Sequence, residues 1–435
     1  MKRANIIVLL ATTVLVFSCT QNEPENMTIT RVEKNVRYDT YHGLSLLMDV
    51  HYPPEPNGHG IILIWGCAWY GLEGTGGLLT DLGAKQIFLD CGYTVFVVNH
   101  RGYPGFTFPA AVEDVQQAVR FIRYNAVHYG IDPNLLGGWG HSSGAHLVAL
   151  LATMDGTGNP DDLDRVNHES AKLQAVVTVA TPTDLSLIDT PEGSRAVMAF
   201  LDSPENKNDN IYREASPVTH ATPDDPPFMI IHGEEDKIVP FHQSELMYEV
   251  LVNSGIDARF IRIPGRGHDA WDDMAAARWF NRFFLEKNRV EELEPLLNAH
   301  TRLEDGRRLA RDGKISDAIE AFREAEELDA RLTMTIDDWN LLCRQGGCWG
   351  QPADVLFACE QAIEMGPKWG PPYHISRGIV RALLGDTEGA IEDIEFAIEG
   401  EYLHKDWQAR HQSWIDSLQA GKNPFTPEVL EQLRK

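Results

Sequence analysis

The sequence predicts an α/β chain: a doubly wound, mostly parallel sheet over residues 31–288, followed by an all-α helical-repeat domain over residues 289–435. Two observations carry this. From Gly60 onward, short apolar runs rich in β-branched residues alternate with longer helical patterns, the signature of strands buried on both faces and the helices that cover them. After about Lys287 the strand signals vanish, and Ala, Glu and Leu recur at helical spacing with internal self-similarity.

The chain opens with a basic pair, Lys2-Arg3, and an apolar run from Ile6 to Phe17 that is too short to span a bilayer. Val16-Phe17-Ser18-Cys19 resembles the lipobox of bacterial lipoproteins, with Phe17 a departure from the usual small residues. The resemblance implies a signal peptide over 1–18, lipidation of Cys19, a polar tether over 19–30 and a lipid-anchored protein exported to the cell envelope. A soluble exported protein with a coincidental cysteine is the alternative. A net charge of −26 disfavours nucleic acid or an anionic lipid surface as a partner, leaving the lipid anchor as the expected membrane contact.

Val36 to Tyr52 reads as an antiparallel hairpin turning at His42-Gly43, a leading edge for the sheet. The parallel strands are expected at Ile61–Trp65, Thr94–Asn99, Leu135–Trp139, Ala175–Ala180, Phe228–His232 and Arg259–Ile263. Helical stretches ending at Cys91, Tyr129 and Ser254 are each followed by a glycine, the residue that takes the left-handed stop conformation at least cost.

A serine hydroxyl becomes a useful nucleophile only beside a base, and is best presented on a tight strand-to-helix turn. Gly140-His141-Ser142-Ser143-Gly144 supplies such a turn, with a strand before it and the helical pattern Ala145–Met154 after it. Gly137-Gly138 inside that strand lowers its β propensity and suggests close helix packing. An acid directly follows a later strand in His232-Gly233-Glu234-Glu235-Asp236-Lys-Ile-Val-Pro240, and a histidine follows the last strand in Gly265-Arg-Gly267-His268-Asp269-Ala-Trp271. Asp236 is the expected acid, with Glu234 and Glu235 as alternatives. His268 is the expected general base.

The order Ser, acid, His resembles that of the α/β-hydrolases, and the segment at Asp236 is similar to their HGxxDxxVP. Trp65-Gly66-Cys67-Ala68-Trp69 resembles the HGGGW segment of carboxylesterases, departing from it at Trp65, Cys67 and Ala68. By that match the amides of Cys67 and Ala68, together with Ser143 N–H, form the oxyanion hole. Cys67 as a thiol nucleophile is a weaker alternative. Asn99-His-Arg101-Gly-Tyr-Pro104, Phe108-Pro-Ala-Ala-Val-Glu-Asp114 and Tyr129-Gly-Ile-Asp-Pro133 are similar to the carboxylesterase branch that includes acetyl esterases and feruloyl-esterase-like enzymes. The long polar segment Thr181 to Pro227 is expected to cover the site, with Asp184, Phe200 and Tyr212 as candidate pocket residues.

In the second region, Gly313-Lys-Ile-Ser-Asp-Ala318 aligns with Gly385-Asp-Thr-Glu-Gly-Ala390, and Val355 falls between them at steps of 37 and 35 residues. This resembles tetratricopeptide repeats, which implies a peptide-binding groove; a structural cap or a dimer surface remains open. Of the six cysteines, Cys343 and Cys359 fall on two adjacent predicted helices and form the candidate disulfide, with buried free thiols as the alternative. No cysteine spacing suggests zinc, and the expected chemistry needs no metal or organic cofactor.

The expectation is therefore a lipid-anchored serine esterase that cleaves short-chain acyl or carbohydrate esters through an acyl-enzyme on Ser142. A prolyl-oligopeptidase-like peptidase and a catalytically inactive protein-binding lipoprotein are the rivals.

Overall fold

A computed structural model describes residues 31–71, 85–203, 210–332, 334–366, 371–399 and 405–434. The expected signal peptide, Cys19 and the tether lie outside the described residues. Eight strands form one sheet in the order β1-β2-β4-β3-β5-β6-β7-β8. They are β1 (Val32–Tyr41), β2 (Leu44–His51), β3 (Gly60–Ile64), β4 (Thr94–Val98), β5 (Leu136–His141), β6 (Ala175–Val179), β7 (Phe228–Gly233) and β8 (Ala258–Ile263). β1 and β2 pair antiparallel, β2 joins β4 antiparallel, and every later pairing is parallel. The hairpin turns at His42-Gly43, both with positive φ, the backbone that a two-residue turn between twisted strands requires.

β3 to β7 are buried along their whole length, which explains why they read as continuous apolar runs rather than alternating ones. Helices cover both faces. α1 (Gln86–Asp90) lies on one face. α2 (Ala110–Tyr124), α3 (Ala126–Tyr129) and α4 (Ser143–Thr153) lie on the other. α5 (Pro191–Leu201) and α6 (Asn210–Glu214) belong to the segment before β7, α7 (His242–Asn253) joins α2 and α4, and α8 (Asp273–Phe284) joins α1.

The expected helix stops at Gly92, Gly130 and Gly255 all have positive φ. The glycine pair in β5 is explained by packing. A Cβ on Gly137 would sit 2.7 Å from the Phe280 ring on one face, and one on Gly138 would sit 2.5 Å from Leu173 on the other. The central strand thus gives up side chains so that both layers can close on it.

The change of pattern near residue 288 coincides with α9 (Lys287–Arg311), but this helix does not separate two regions cleanly. Leu293, Leu296 and Leu297, on one helical face, are fully buried against the α1/α8 side of the sheet. Ala299, Leu303 and Ala310 bury into the helical region beyond. His300 donates from Nε2 to Asp90 at 2.9 Å, and Arg278 pairs with Glu294 at 2.9 Å. The boundary expected at 288/289 therefore cuts into the core of the α/β region, which runs about three turns further along α9.

α9 pairs with α10 (Ile315–Leu328), α11 (Ile336–Cys348) with α12 (Pro352–Met365), and α13 (Pro371–Leu384) with α14 (Thr387–Glu399); α15 (Lys405–Gln419) and α16 (Pro427–Arg434) follow. The aligned residues Ala318, Val355 and Ala390 are fully buried on the second helix of each pair, so the self-similarity marks packing positions. A disulfide joins Cys343 to Cys359 and ties α11 to α12, while Cys67, Cys91 and Cys348 are free thiols. No helix among the described residues is long and apolar enough to cross a membrane.

Candidate active site

Ser142 follows β5 directly, with φ 54° and ψ −124°, and α4 starts at the next residue. A non-glycine residue with positive φ costs roughly 1–3 kcal/mol and persists only where its surroundings impose it. The surroundings here are explicit. Ser142 N–H donates to Val179 O at 2.8 Å, and His146 N–H returns to Ser142 O at 3.0 Å. A Cβ on Gly140 would lie 2.5 Å from Gly144 O, and one on Gly144 would lie 2.1 Å from Ile64 O. The glycines are the condition for so sharp a bend beside β3.

Three residues past β7, the Asp236 carboxylate is fully enclosed. Its Oδ1 accepts from Ile238 N–H at 2.8 Å and Val239 N–H at 3.0 Å, and its Oδ2 accepts from His268 Nδ1–H at 2.7 Å and His232 Nε2–H at 3.1 Å. Burial would raise this carboxyl, but the hydrogen bonds from His232 and His268 hold it well below the usual carboxylate range. The alternatives part from the site: Glu234 turns to Arg262 at 3.1 Å, and Glu235 is exposed. With Nδ1–H given to Asp236, His268 keeps its Nε2 lone pair as a base, and the ring retains a partly open edge.

Two histidines that spacing did not single out support this pair. His232, fully buried, accepts from Ser244 O–H at Nδ1 (2.6 Å) and so directs Nε2–H at Asp236. His141 donates from Nε2 to the main-chain oxygen of His268 at 3.0 Å, and its ring lies 4.9 Å from the His268 ring. Burial pushes the His141 imidazole down to about 4 and keeps it neutral at physiological pH. His141 acts across 127 residues, a separation that linear sequence does not record, whereas His232 lies four residues before Asp236 and its role depends on the ring direction set by Ser244.

The loop after β3 departs from the expectation at one donor. Cys67 N–H donates to Ser143 Oγ at 2.9 Å and is already engaged in this structure, whereas it was expected to face an oxyanion. Ser143 is the first residue of α4, where an amide has no acceptor within the helix. Ala68 and Trp69 both have positive φ, 54° and 57°, so the loop takes here the backbone that glycine would adopt freely. A Cβ on Gly66 would lie 2.6 Å from Ser142 Cβ, which keeps that position a glycine.

Neighbouring groups hold the strained loop. Trp69 Nε1–H donates to His146 Nδ1 at 3.0 Å, and His146 Nε2–H donates to Ala215 O at 2.7 Å. The Trp69 ring stacks on Phe200 of α5 at 4.7 Å. The Cys67 thiol donates to Tyr70 O at 3.0 Å, and burial pushes it up to about 11, so it carries no thiolate at neutral pH and is a poor nucleophile.

In the segment expected to cover the site, Phe200 and Tyr212 are buried, and Asp184 caps a short turn by accepting from Ser186. Its helices α5 and α6 were not legible in the sequence. Among the described residues no His, Cys, Asp and Glu group has the arrangement of a metal site.

The chain is similar to several known proteins. The BD-FAE family model matches residues 48–251. Esterase LipQ of Mycobacterium tuberculosis is 28% identical over 197 residues, 44% of this chain and 45% of its own length. Esterase LipC of the same organism is 28% identical over 218 residues, 48% of this chain and 52% of its own. The chain thus spans about half the length of these curated relatives. A solved structure described as a truncated form of carbohydrate esterase from gut microbiota superposes with a TM-score of 0.51 at 27% identity, covering 59% of this chain and 97% of that one. Together with the strand order, this gives the sheet region the α/β-hydrolase fold, followed by a helix-rich C-terminal region.

Proposed function

We propose that this chain hydrolyses carboxylic esters, with Ser142 as nucleophile, His268 as general base and Asp236 as the acid that orients it. One observation carries the reading: the buried Asp236 carboxylate takes His268 Nδ1–H at 2.7 Å, leaving Nε2 as acceptor at the strand ends where Ser142 sits on a strained turn. The likeness to esterases over about half of this chain supports ester as the substrate class.

Ser142 Oγ attacks the ester carbonyl carbon as His268 Nε2 takes its proton. The tetrahedral oxyanion collapses, the C–O bond to the alcohol breaks, and His268 returns the proton to the leaving oxygen. Water repeats the sequence on the acyl-enzyme and releases the acid. Ser143 N–H and Ala68 N–H are the proposed oxyanion donors, and Cys67 N–H joins them only where the anion displaces Ser143 Oγ. Each well-placed donor contributes roughly 3 kcal/mol.

Short-chain acyl groups on carbohydrate are the proposed substrates, supported by the carbohydrate esterase likeness. Export with lipidation at Cys19 is the proposed localisation, resting on the resemblance of Val16 to Cys19 to a lipobox. The helix pairs after α9 are proposed as a tetratricopeptide-like protein-binding region.

One observation favours a second reading, a catalytically silent binding protein: the Cys67 amide is engaged by Ser143 Oγ. Fluorophosphonate labelling and p-nitrophenyl acetate turnover, wild type against Ser142→Ala, decide between them. Labelling and turnover lost in the variant support the esterase; neither in the wild type leaves the silent reading.

A further inference from the structure

Lys85, the residue before α1, is 8% exposed. Its ammonium lies 4.5 Å from the ring centre of Trp139, 4.7 Å from that of Trp271 and 5.0 Å from that of Trp65, and pairs with the Asp273 carboxylate at 3.0 Å. A desolvated ammonium needs an opposite charge or acceptors in place of its water, and electron-rich ring faces add to that; the carboxylate and the rings are both supplied here.

Each partner belongs to a different part of the site. Trp65 adjoins Gly66 at the root of the loop after β3. Trp139 lies on β5 three residues before Ser142. Trp271 and Asp273 follow His268 by three and five residues. Trp271 also meets His141 edge-on, rings 5.5 Å apart, and His141 in turn holds the His268 main chain.

We propose that Lys85 is a positioning residue for the reaction: its caged ammonium ties the segment bearing His268 to the strand ends that bear the oxyanion loop and Ser142. This rests on the esterase reading above. The cage closes only when all three segments are in register, so losing the charge frees the His268 segment from β3 and β5 while the covalent machinery stays intact. A buried ion pair that merely held α8 would stabilise the fold without acting on turnover.

The test compares wild type, Lys85→Met, Lys85→Arg, Trp271→Leu and the Lys85→Met/Trp271→Leu double variant. Steady-state hydrolysis of p-nitrophenyl acetate, the rate of fluorophosphonate labelling and the thermal midpoint are measured for each. Lys85→Met is expected to lower kcat about tenfold with KM within about twofold, because misplacement of reacting groups acts on the chemical step. Lys85→Arg regains most of this loss. Trp271→Leu, at a partly exposed position, gives a similar loss, and the double variant is no worse than the poorer single one, since both break the same link.

Wild-type kcat and labelling in Lys85→Met, losses that multiply in the double variant, or losses that track the thermal midpoint across the series would overturn the proposal. If Lys85→Met does not fold, wild-type kcat in Trp271→Leu overturns it instead. A wild type that neither labels nor turns over fails the esterase reading and takes this inference with it; an active wild type with unaffected variants fails this inference alone.

Discussion

His141 Nε2–H donates to the main-chain oxygen of His268 at 3.0 Å, so the side chain just before the nucleophile fastens the loop that carries the base. The bond spans 127 residues of sequence and joins the ends of β5 and β8 across the two strands between them.

His141→Ala leaves that carbonyl without its donor and opens space beside the His268 ring. A fall of about ten- to a hundredfold in kcat, with KM little changed, is the expected outcome. Steady-state kinetics on p-nitrophenyl acetate check it, and a variant with wild-type kcat would show that the loop is held elsewhere.

Asp236→Asn keeps the shape but removes the charge that accepts from both His268 and His232. The amide can orient toward either ring with the wrong polarity, and a loss of roughly a thousandfold in kcat/KM follows. Fluorophosphonate labelling of Ser142 should slow in parallel; labelling at the wild-type rate would remove Asp236 from the proposed triad.

Gly66→Ala places a methyl 2.5 Å from His141 O and 2.6 Å from Ser142 Cβ. Backbone must move on one side or the other, at about 1–3 kcal/mol. Loss of turnover with a lower thermal midpoint is expected, whereas an active, equally stable variant would mean that the loop has freedom the packing denies it.

Acid should destabilise the fold through His146, which is buried and neutral between Trp69 and Ala215. Burial pushes its imidazole down to about 4, against about 6.5 in an unfolded chain. Between those values the unfolded state binds a proton that the folded state refuses, so stability is full above pH 6.5 and falls as the pH drops toward 4. The contribution is on the order of 3 kcal/mol. Urea midpoints at pH 7.5 and 4.5 should differ in this sense, with a smaller difference in His146→Gln; equal differences would assign the effect to other groups.

Ending the chain after Asn288 removes Leu293, Leu296 and Leu297 from the face that packs on α8 and costs roughly 5 kcal/mol of apolar burial. Ending it after Asp312 keeps them. The shorter fragment should be less soluble and melt lower by calorimetry, and equal melting of the two would show that α9 contributes little to the sheet region.

The legibility of this chain in its sequence follows from what each feature depends on. Ser142, Asp236 and His268 stand out because each falls within five residues of the end of a strand, and because glycines punctuate the turns. The stops at Gly92, Gly130 and Gly255 are equally local. His141 and Lys85 act through contacts across 127 and 188 residues, and no spacing rule reaches that far, while His232, only four residues from Asp236, depends on the direction that Ser244 gives its ring. The engagement of Cys67 N–H was hidden for another reason, since it depends on the hydroxyl rotamer of Ser143. The extent of the sheet region was misread because α9 is charged overall, and its three buried leucines occupy only a narrow stripe.

That stripe bears on how such a chain could be assembled by recombination. A crossover at the change of composition near residue 288 would hand the sheet a foreign helix lacking the leucine face its core requires. Crossovers past residue 300 carry the whole interface along, and there the helical region can be exchanged while the sheet keeps its own cover.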